Sequence, residues 1–543
     1  MSNLFKTYQK KKFLIADDFD NFIFSMKQML RRMGAEHIDS ARNGKEAIQK
    51  CISTHFDVVF CDYNMGDNKN GQQVLEELRY RKLLKNTDIF FLVSAETAKE
   101  MVMGALEYQP DGYITKPITQ SLLQNRLDRL VEQKEALQDV YRAIDQEDYT
   151  KAISLCNQHL QSNSKYRALI LKIQANLYFI SGDYVHAKKL YEDIINKRPL
   201  DWARLGLGKV LLEEGNPREA CEMFEFLIQE QPEMTEAYDW LAKAQKQLGK
   251  TQQAQTTLET AVSISPRALL RQKELAQISH ANHDLATATK AYRHSSKLSE
   301  NSCYETANLH LEYARCLSDY AQGDLSPEGQ KLADEASRAL SKIREKYKDE
   351  DQVQLQSRLV EARVLAGQNK DNDSKKVLQA AQKLYENMES SAPDLTLELA
   401  ETLYALDDSE QAGKLLEKLA EENPDNNQLL HKIEELRDEP VSLKQRIKAR
   451  ELNREGIQQY EKGDFAAALD AFRDAMEITP LHVGLNLNLL QTIIKLNSKN
   501  MSQDPEIGRL LKMCFERLSA LTPDHRQYKR YQHLLERYKA KAG

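Results

Sequence analysis

Long apolar runs are missing from this chain. None of its 543 residues falls in a stretch near the roughly 18 apolar positions a bilayer-spanning helix needs. The basic start, MSNLFKTYQKKK, is not followed by an apolar core, so no secretory signal is expected. The seven cysteines (Cys51, Cys61, Cys156, Cys221, Cys303, Cys316 and Cys514) form no C-x-x-C pair. That scatter fits buried thiols in a reducing cytoplasm, and it lacks the ligand spacing of a zinc site. Nucleotide-binding glycine loops, catalytic triads, metalloprotease helix motifs and a DNA-reading output domain are all missing. A surplus of one charge is missing too: 76 basic against 82 acidic side chains leave a net −6, which favours neither nucleic acid nor an anionic membrane. What remains is a multidomain chain whose 41% hydrophobic and 29% charged residues suit packed, water-facing domains.

The most informative stretch is FDVVFCDYN at residues 56–64. A short apolar run bounded by polar residues predicts a buried parallel strand, and it delivers Asp62 to the point where the run breaks. Four comparable stretches surround it. KFLIADD ends in Asp17 and Asp18, a short edge strand covers residues 37–40, IFFLV ends at Ser94, and GYIT ends at Lys116 and Pro117. Amphipathic segments alternate with them, including one with Phe22, Met26, Met29, Leu30 and Met33 on one face and Gly34 as its stop. Others are predicted from about Asn43, over 71–82, over 98–106 and from about Thr119. Five strands alternating with helices predict a parallel α/β sheet with right-handed crossovers.

Asp17, Asp18, Asp62, Ser94 and Lys116 all fall at carboxyl ends of strands, where open α/β sheets place their ligands. Three converging carboxylates repel one another unless a cation sits among them. Few hard oxygen ligands completed by water suit Mg²⁺, which would neutralise phosphoryl oxygens while one carboxylate attacks. The Lys116 ammonium and the Ser94 hydroxyl would meet further phosphoryl oxygens.

At FLIADD, FCDYNM, FFLVSAE and GYITKP, in that order over about 120 residues, the stretch resembles the receiver domain of bacterial two-component response regulators. The resemblance implies a flavodoxin-like receiver in which Asp62 accepts phosphate from a cognate histidine kinase or phosphotransfer protein. It implies Mg²⁺ held by Asp18, Asp62 and the backbone carbonyl of Asn64, with Asp17 acting through water. Ser94 and Tyr113 resemble the hydroxyl and aromatic switch pair, Lys116 the phosphate-binding lysine, and Asn64 and Glu96 the positions that tune the lifetime of the acyl phosphate. One position departs: the family usually has proline four residues after the acceptor, and Gly66 stands there, in a loop that looks one residue longer than usual.

Neither proline nor glycine interrupts residues 119–181, and Leu123, Leu127, Leu130, Leu137, Tyr141 and Ile144 recur at helical spacing. This predicts a last receiver helix running on, with at most a short break, into the next domain. Lys134 interrupts the stripe, which argues against a long dimeric coiled coil. Beyond it the chain repeats at about 34 residues. The clearest unit carries Leu207, Gly208, Gly215, Ala220, Phe224 and Pro232, with Ala175, Tyr178, Gly182, Ala187, Tyr191 and Pro199 before it and Tyr238, Leu241, Ala242, Gly249, Ala254, Leu258 and Pro266 after it. These residues resemble the tetratricopeptide repeat, a helix–turn–helix unit that stacks into a solenoid. Another such unit has Gly456, Tyr460, Gly463, Ala468, Phe472, Ala475 and Pro480, and a basic helix with Tyr531, Leu534, Leu535 and Tyr538 is predicted to cap the array rather than to contact RNA.

The expected architecture is therefore a receiver at residues 1–129, a first all-α helical-hairpin solenoid at 130–436, and further repeats with a capping helix at 437–543. About ten hairpins are expected, with a joint near Pro440. The expected function is a cytoplasmic, non-enzymatic response regulator whose repeats bind an unidentified protein on their concave face. The rival expectation is a constitutive scaffold in which the receiver is a docking module or phosphate sink.

Overall fold

In the computed structural model the described residues are 4–66, 69–95, 107–162, 165–388, 392–406, 408–438, 443–496, 505–519, 521 and 527–542. The chain divides into two compact units, residues 1–305 and 306–543.

The first unit opens with a five-stranded, all-parallel sheet in the order β2-β1-β3-β4-β5. Its strands are β1 (Lys12–Ala16), β2 (His37–Ala41), β3 (Val58–Asp62), β4 (Ile89–Ser94) and β5 (Gly112–Thr115). Five helices accompany it among the described residues: α1 (Phe5–Lys10), α2 (Asp20–Met33), α3 (Gly44–Ser53), α4 (Gly71–Tyr80) and α5 (Gln120–Ala136). Every residue of β3 and β4 is buried, as expected of central strands covered on both faces. Alternate side chains feed two cores. Phe13, Ile15, Phe60 and Phe91 join α2 and α5 on one face. Leu14, Val59, Phe90 and Leu92 join α3 and α4 on the other. Helix α2 ends at Gly34 with φ +106°, the left-handed stop read from the sequence.

Sequence reading missed α1. Its Tyr8 and the preceding Leu4 are buried in the core that α2 and α5 share, and the Tyr8 hydroxyl donates to Asp128 on α5. The segment expected at 98–106 lies outside the described residues.

Helix α5 runs to Ala136 and, after a single break at Leu137 (φ −119°, ψ 21°), becomes α6 (Gln138–Asp145). Lys134, the interruption in the apolar stripe, turns back to the sheet domain. Its ammonium lies 2.8 Å from Asp111 Oδ1, donates to the Asn86 carbonyl at 2.7 Å, and sits 5.0 Å from the Tyr141 ring centroid. Five helical hairpins complete the unit, the first being α6 with Tyr149–Gln161 and the last Leu269–Ala281 with Leu285–Ser299. Their geometry follows from small residues. A Cβ on Gly208 would stand 2.6 Å from the Phe224 ring, and one on Gly206 would stand 2.3 Å from that of Tyr191. The turns at Gly182, Gly215 and Gly249 have φ of 77°, 81° and 73°, where any L side chain is strained.

Among its described residues the second unit holds helices joined by turns and no strand. Hairpins at Ala307–Lys346, Asp351–Glu386 and Pro393–Glu422 are followed by Asn427–Asp438, Leu443–Lys462, Phe465–Ile478, Val483–Leu496 and Pro505–Leu518. Two of the residues around Pro440 belong to flanking helices, but Pro440 itself lies outside the described residues. Helix Tyr528–Ala542 buries Tyr531 and Leu534 against Leu485, Leu489 and Cys514, with Leu535 and Tyr538 alongside, so its apolar stripe closes the core. No helix among the described residues is long and apolar enough to cross a membrane.

Candidate functional site

The parallel register explains why the polar residues meet. Ala16 pairs with Cys61 and Asp62 with Val93, so Asp17 and Asp62 emerge side by side where the sheet ends. Ser94 pairs with Thr115, and the Lys116 amide donates to the Ser94 carbonyl at 2.9 Å. That arrangement brings the Lys116 side chain back over the carboxylates. Its Nζ lies 2.7 Å from Asp17 Oδ2 and 2.7 Å from Asp62 Oδ1, and 4.3 Å from the Phe22 ring centroid. The Lys116–Pro117 peptide is cis.

Asp17 is fully buried and accepts the Phe19 amide at 2.9 Å. Asp62 is 6% exposed and accepts the Asn64 amide on Oδ2 at 3.1 Å. Its Oδ1 has the Lys116 ammonium as its partner. Burial raises the Asp62 pKa, and Asp17 adds to the rise, against the opposing pull of Lys116 and the Asn64 amide. For Lys116, burial works to lower the pKa, but the two carboxylates outweigh it and the net shift is upward.

Asp18 and Asn64 are exposed beside this pair, Ser94 is buried, and Tyr113 is half-buried against the core that holds Leu92 and Tyr108. Glu96 lies outside the described residues. Gly66 has φ +81°, and nothing lies within 4 Å of a Cβ placed there. Proline, locked near −65°, has no access to that backbone, so glycine at this position goes with a differently shaped loop. Gly71 starts α4 directly against Asp62: a Cβ there would stand 2.3 Å from the Asp62 carbonyl oxygen.

Among the described residues, no three acidic, histidine or cysteine side chains are gathered closely enough to form a metal cluster by themselves. The donor set still fits a hard divalent cation. It offers the buried carboxylates of Asp17 and Asp62, both 2.7 Å from the Lys116 ammonium, with the exposed acid Asp18 next to Asp17 in sequence. Such an ion would keep several waters, as Mg²⁺ commonly does.

Sequence reading missed a second feature, the seam between the sheet domain and the helical hairpins within the first unit. Tyr63, next to Asp62, takes a hydrogen bond on its hydroxyl from Arg267 Nη1 at 3.1 Å. From α4, Gln73 Nε2 donates to the Glu300 carbonyl at 3.0 Å, and Tyr80 meets Tyr304 edge-on with centroids 6.1 Å apart. Glu76, buried at 5% exposure, receives Ser302 Oγ at 3.3 Å; burial raises its pKa against hydrogen bonds from Gln72, Tyr108 and Ser302. At the other end, Asn86 donates twice to Asp145 Oδ1, and Lys82 pairs with Glu147 at 2.6 Å. These partners lie 59 to 227 residues apart in sequence, so no local pattern signals them.

In the second unit a groove of about 590 Å³ is lined by Arg315, Gln356, Asp394, Glu398 and Lys432, all on the first helices of their hairpins or on Asn427–Asp438. Its floor is Glu398, which accepts from Arg315 at 2.6 and 2.8 Å, Gln356 at 3.0 Å and Arg363 at 3.0 Å. Burial alone would raise the Glu398 pKa; the two arginines and Gln356 reverse it.

Residues 13–128 match the response regulator receiver domain family, and residues 211–278 and 395–426 match the tetratricopeptide repeat. Chemotaxis protein CheY-3 of Vibrio cholerae is 31% identical over 121 residues, 22% of this chain and 92% of that protein. Chemotaxis protein CheY of Pseudomonas aeruginosa is 29% identical over 121 residues, 22% of this chain and 96% of that protein. Among solved structures, a CheY-like receiver domain from Methanospirillum hungatei is similar at 24% identity and TM-score 0.21, covering 23% of this chain and 97% of its own. MamA protein is similar at 19% identity and TM-score 0.28, covering 34% and 94%. With its five parallel strands and acidic strand-end site, the chain belongs, through residues 13–128, to the CheY-like response regulator receivers, here continued by tetratricopeptide repeats.

Proposed function

We propose that Asp62 is the phospho-acceptor of a two-component phosphorelay and that the repeats turn its state into protein binding. One observation carries this reading: the Lys116 ammonium held 2.7 Å from both Asp17 and Asp62 at the ends of adjacent strands. In the transfer, an Asp62 oxygen attacks the phosphorus of a phosphohistidine. The bond from phosphorus to the imidazole nitrogen breaks, and that nitrogen keeps the electron pair. Lys116 is placed to neutralise a phosphoryl oxygen as it leaves the carboxylates, and the Ser94 hydroxyl is the donor at the next strand end. Asp17, Asp18, Asp62 and the Asn64 carbonyl would hold Mg²⁺, which when bound supplies charge neutralisation to the entering phosphoryl group. Tyr113 and Glu96 take the roles of switch aromatic and lifetime-tuning residue. The donor is a cognate histidine kinase or phosphotransfer protein, the output partner is a protein bound by the repeats, and the setting is the cytoplasm. No turnover of a separate substrate is part of this reading.

Acetyl phosphate with Mg²⁺, followed by intact mass, tests it. The native chain should gain one phosphoryl group and Asp62→Asn none. Equal gain by both proteins, or none by either, would sink it. A null result in both would favour a constitutive scaffold, a reading to which the seam at Tyr63 and α4 lends support because it makes the receiver a docked module.

A further inference from the structure

Glu107, at the receiver end of the seam, is bound as a ligand is bound. Its Oε1 accepts from Arg271 Nη1 at 2.6 Å and from Thr235 Oγ1 at 2.7 Å, and its Oε2 accepts from Ser265 Oγ at 2.9 Å. All three donors come from the repeats. Arg271 is 6% exposed, and its remaining donors are aimed by Asp239, which takes Nε and Nη2 at 2.7 Å each. The guanidinium is thus held rigid by one carboxylate of the repeats and spends its last edge on a carboxylate of the receiver. A fork fixed in this way, flanked by two hydroxyls, recognises a carboxylate by geometry as well as charge.

We infer that Thr235, Asp239, Ser265 and Arg271 form a carboxylate receptor on the repeats, occupied at rest by the receiver's own Glu107, and that an acidic side chain of an output partner takes its place once the receiver lets go. This rests on the proposed phosphorylation of Asp62 for its trigger, but not for the receptor itself. The route from trigger to receptor is short. Arg267, four residues before Arg271, holds the hydroxyl of Tyr63, which follows the acceptor in sequence. Helix α4, started on the Asp62 carbonyl, contributes Gln73, Glu76 and Tyr80 to the same seam. Turning the Asp62 carboxylate into an acyl phosphate raises the charge there from about −1 to nearly −2, a net gain of about one negative charge next to Tyr63, and draws Lys116 from its carboxylates, so these contacts are the first to be disturbed.

The test uses the full chain and two readouts. Hydrogen exchange of amides in residues 265–272 reports whether the receptor is covered, and a fluorescent peptide of residues 103–111 (MGALEYQPD) reports whether it is open. Glu107→Gln should speed exchange there at least about ten-fold and bind the peptide at least about ten-fold more tightly than the native chain does. A peptide with Gln in place of Glu107 should not bind. Acetyl phosphate with Mg²⁺ should move the native chain towards the variant and leave Asp62→Asn unmoved. Unchanged exchange in Glu107→Gln, or equal peptide binding by native and variant chains, overturns the receptor. If intact mass shows no phosphoryl gain, the Glu107→Gln comparison still decides the receptor while the trigger fails alone. Should Glu107→Gln unfold, Glu107→Asp, which keeps the charge and shortens the reach, gives the same two readouts.

Discussion

At the scale of single residues, the acidic site stores an electrostatic cost. Because burial raises the Asp62 pKa, the folded chain holds that proton more tightly than the unfolded chain. Stability from this group is therefore greatest when it is protonated and is lost as pH rises through its folded pKa. At neutral pH the ionised side chain opposes folding, so Asp62→Asn should melt higher than the native protein, by on the order of 1 kcal/mol. The gap should close as the solution is acidified, and thermal melts across pH check it. A gap that widens on acidification would contradict the assignment. Gly66 gives a second residue-scale expectation. Alanine at its φ of +81° should cost about 1 kcal/mol. Proline, which cannot adopt that φ, should cost more, although it is the residue this position usually carries in related receivers. Chemical denaturation of the two variants distinguishes the outcomes. The meeting of Asp17, Asp62 and Lys116 was legible in the sequence because each sits at the break of an apolar run. Glu107, Arg267 and Arg271 were not, since a charged residue in a helix or a turn looks the same whether it faces water or a partner 164 residues away.

At the scale of elements, strands and repeat helices were legible for the same reason: their apolar periods are long enough to be read. Helix α1 was not, because its six residues are too few to show a period, and its two anchors, Leu4 and Tyr8, look like an isolated pair. Both are buried, so removing residues 1–10 should cost about 3 kcal/mol or more, lowering the melting temperature of the receiver's unit. In the repeats the notch at Gly208 sets how near two helices approach. Gly208→Ala pushes a methyl into the Phe224 ring and should cost about 1–3 kcal/mol. Gly413, with open space around its would-be Cβ, is the control: Gly413→Ala should be neutral or stabilising, as replacing a helical glycine usually is.

At the scale of the molecule, each of the two units closes cores of its own, and only the first holds the acidic site. Calorimetry of the full chain should show more than one transition. Mg²⁺ with acetyl phosphate should shift the one belonging to residues 1–305 and leave the other in place, because only a state that binds the ligand gains from it. A uniform shift of the whole trace would mean that the units unfold together.

The single break at Leu137 has a consequence for competition. Joined by α5 and α6 and fixed by Lys134 to Asp111, Glu107 meets Arg271 as an intramolecular ligand, at an effective concentration in about the millimolar range or above. A partner free in solution at micromolar levels is outnumbered roughly a thousand-fold at that receptor. Output would then depend on how firmly the tethered carboxylate is held, and hardly at all on how many copies of the protein are made.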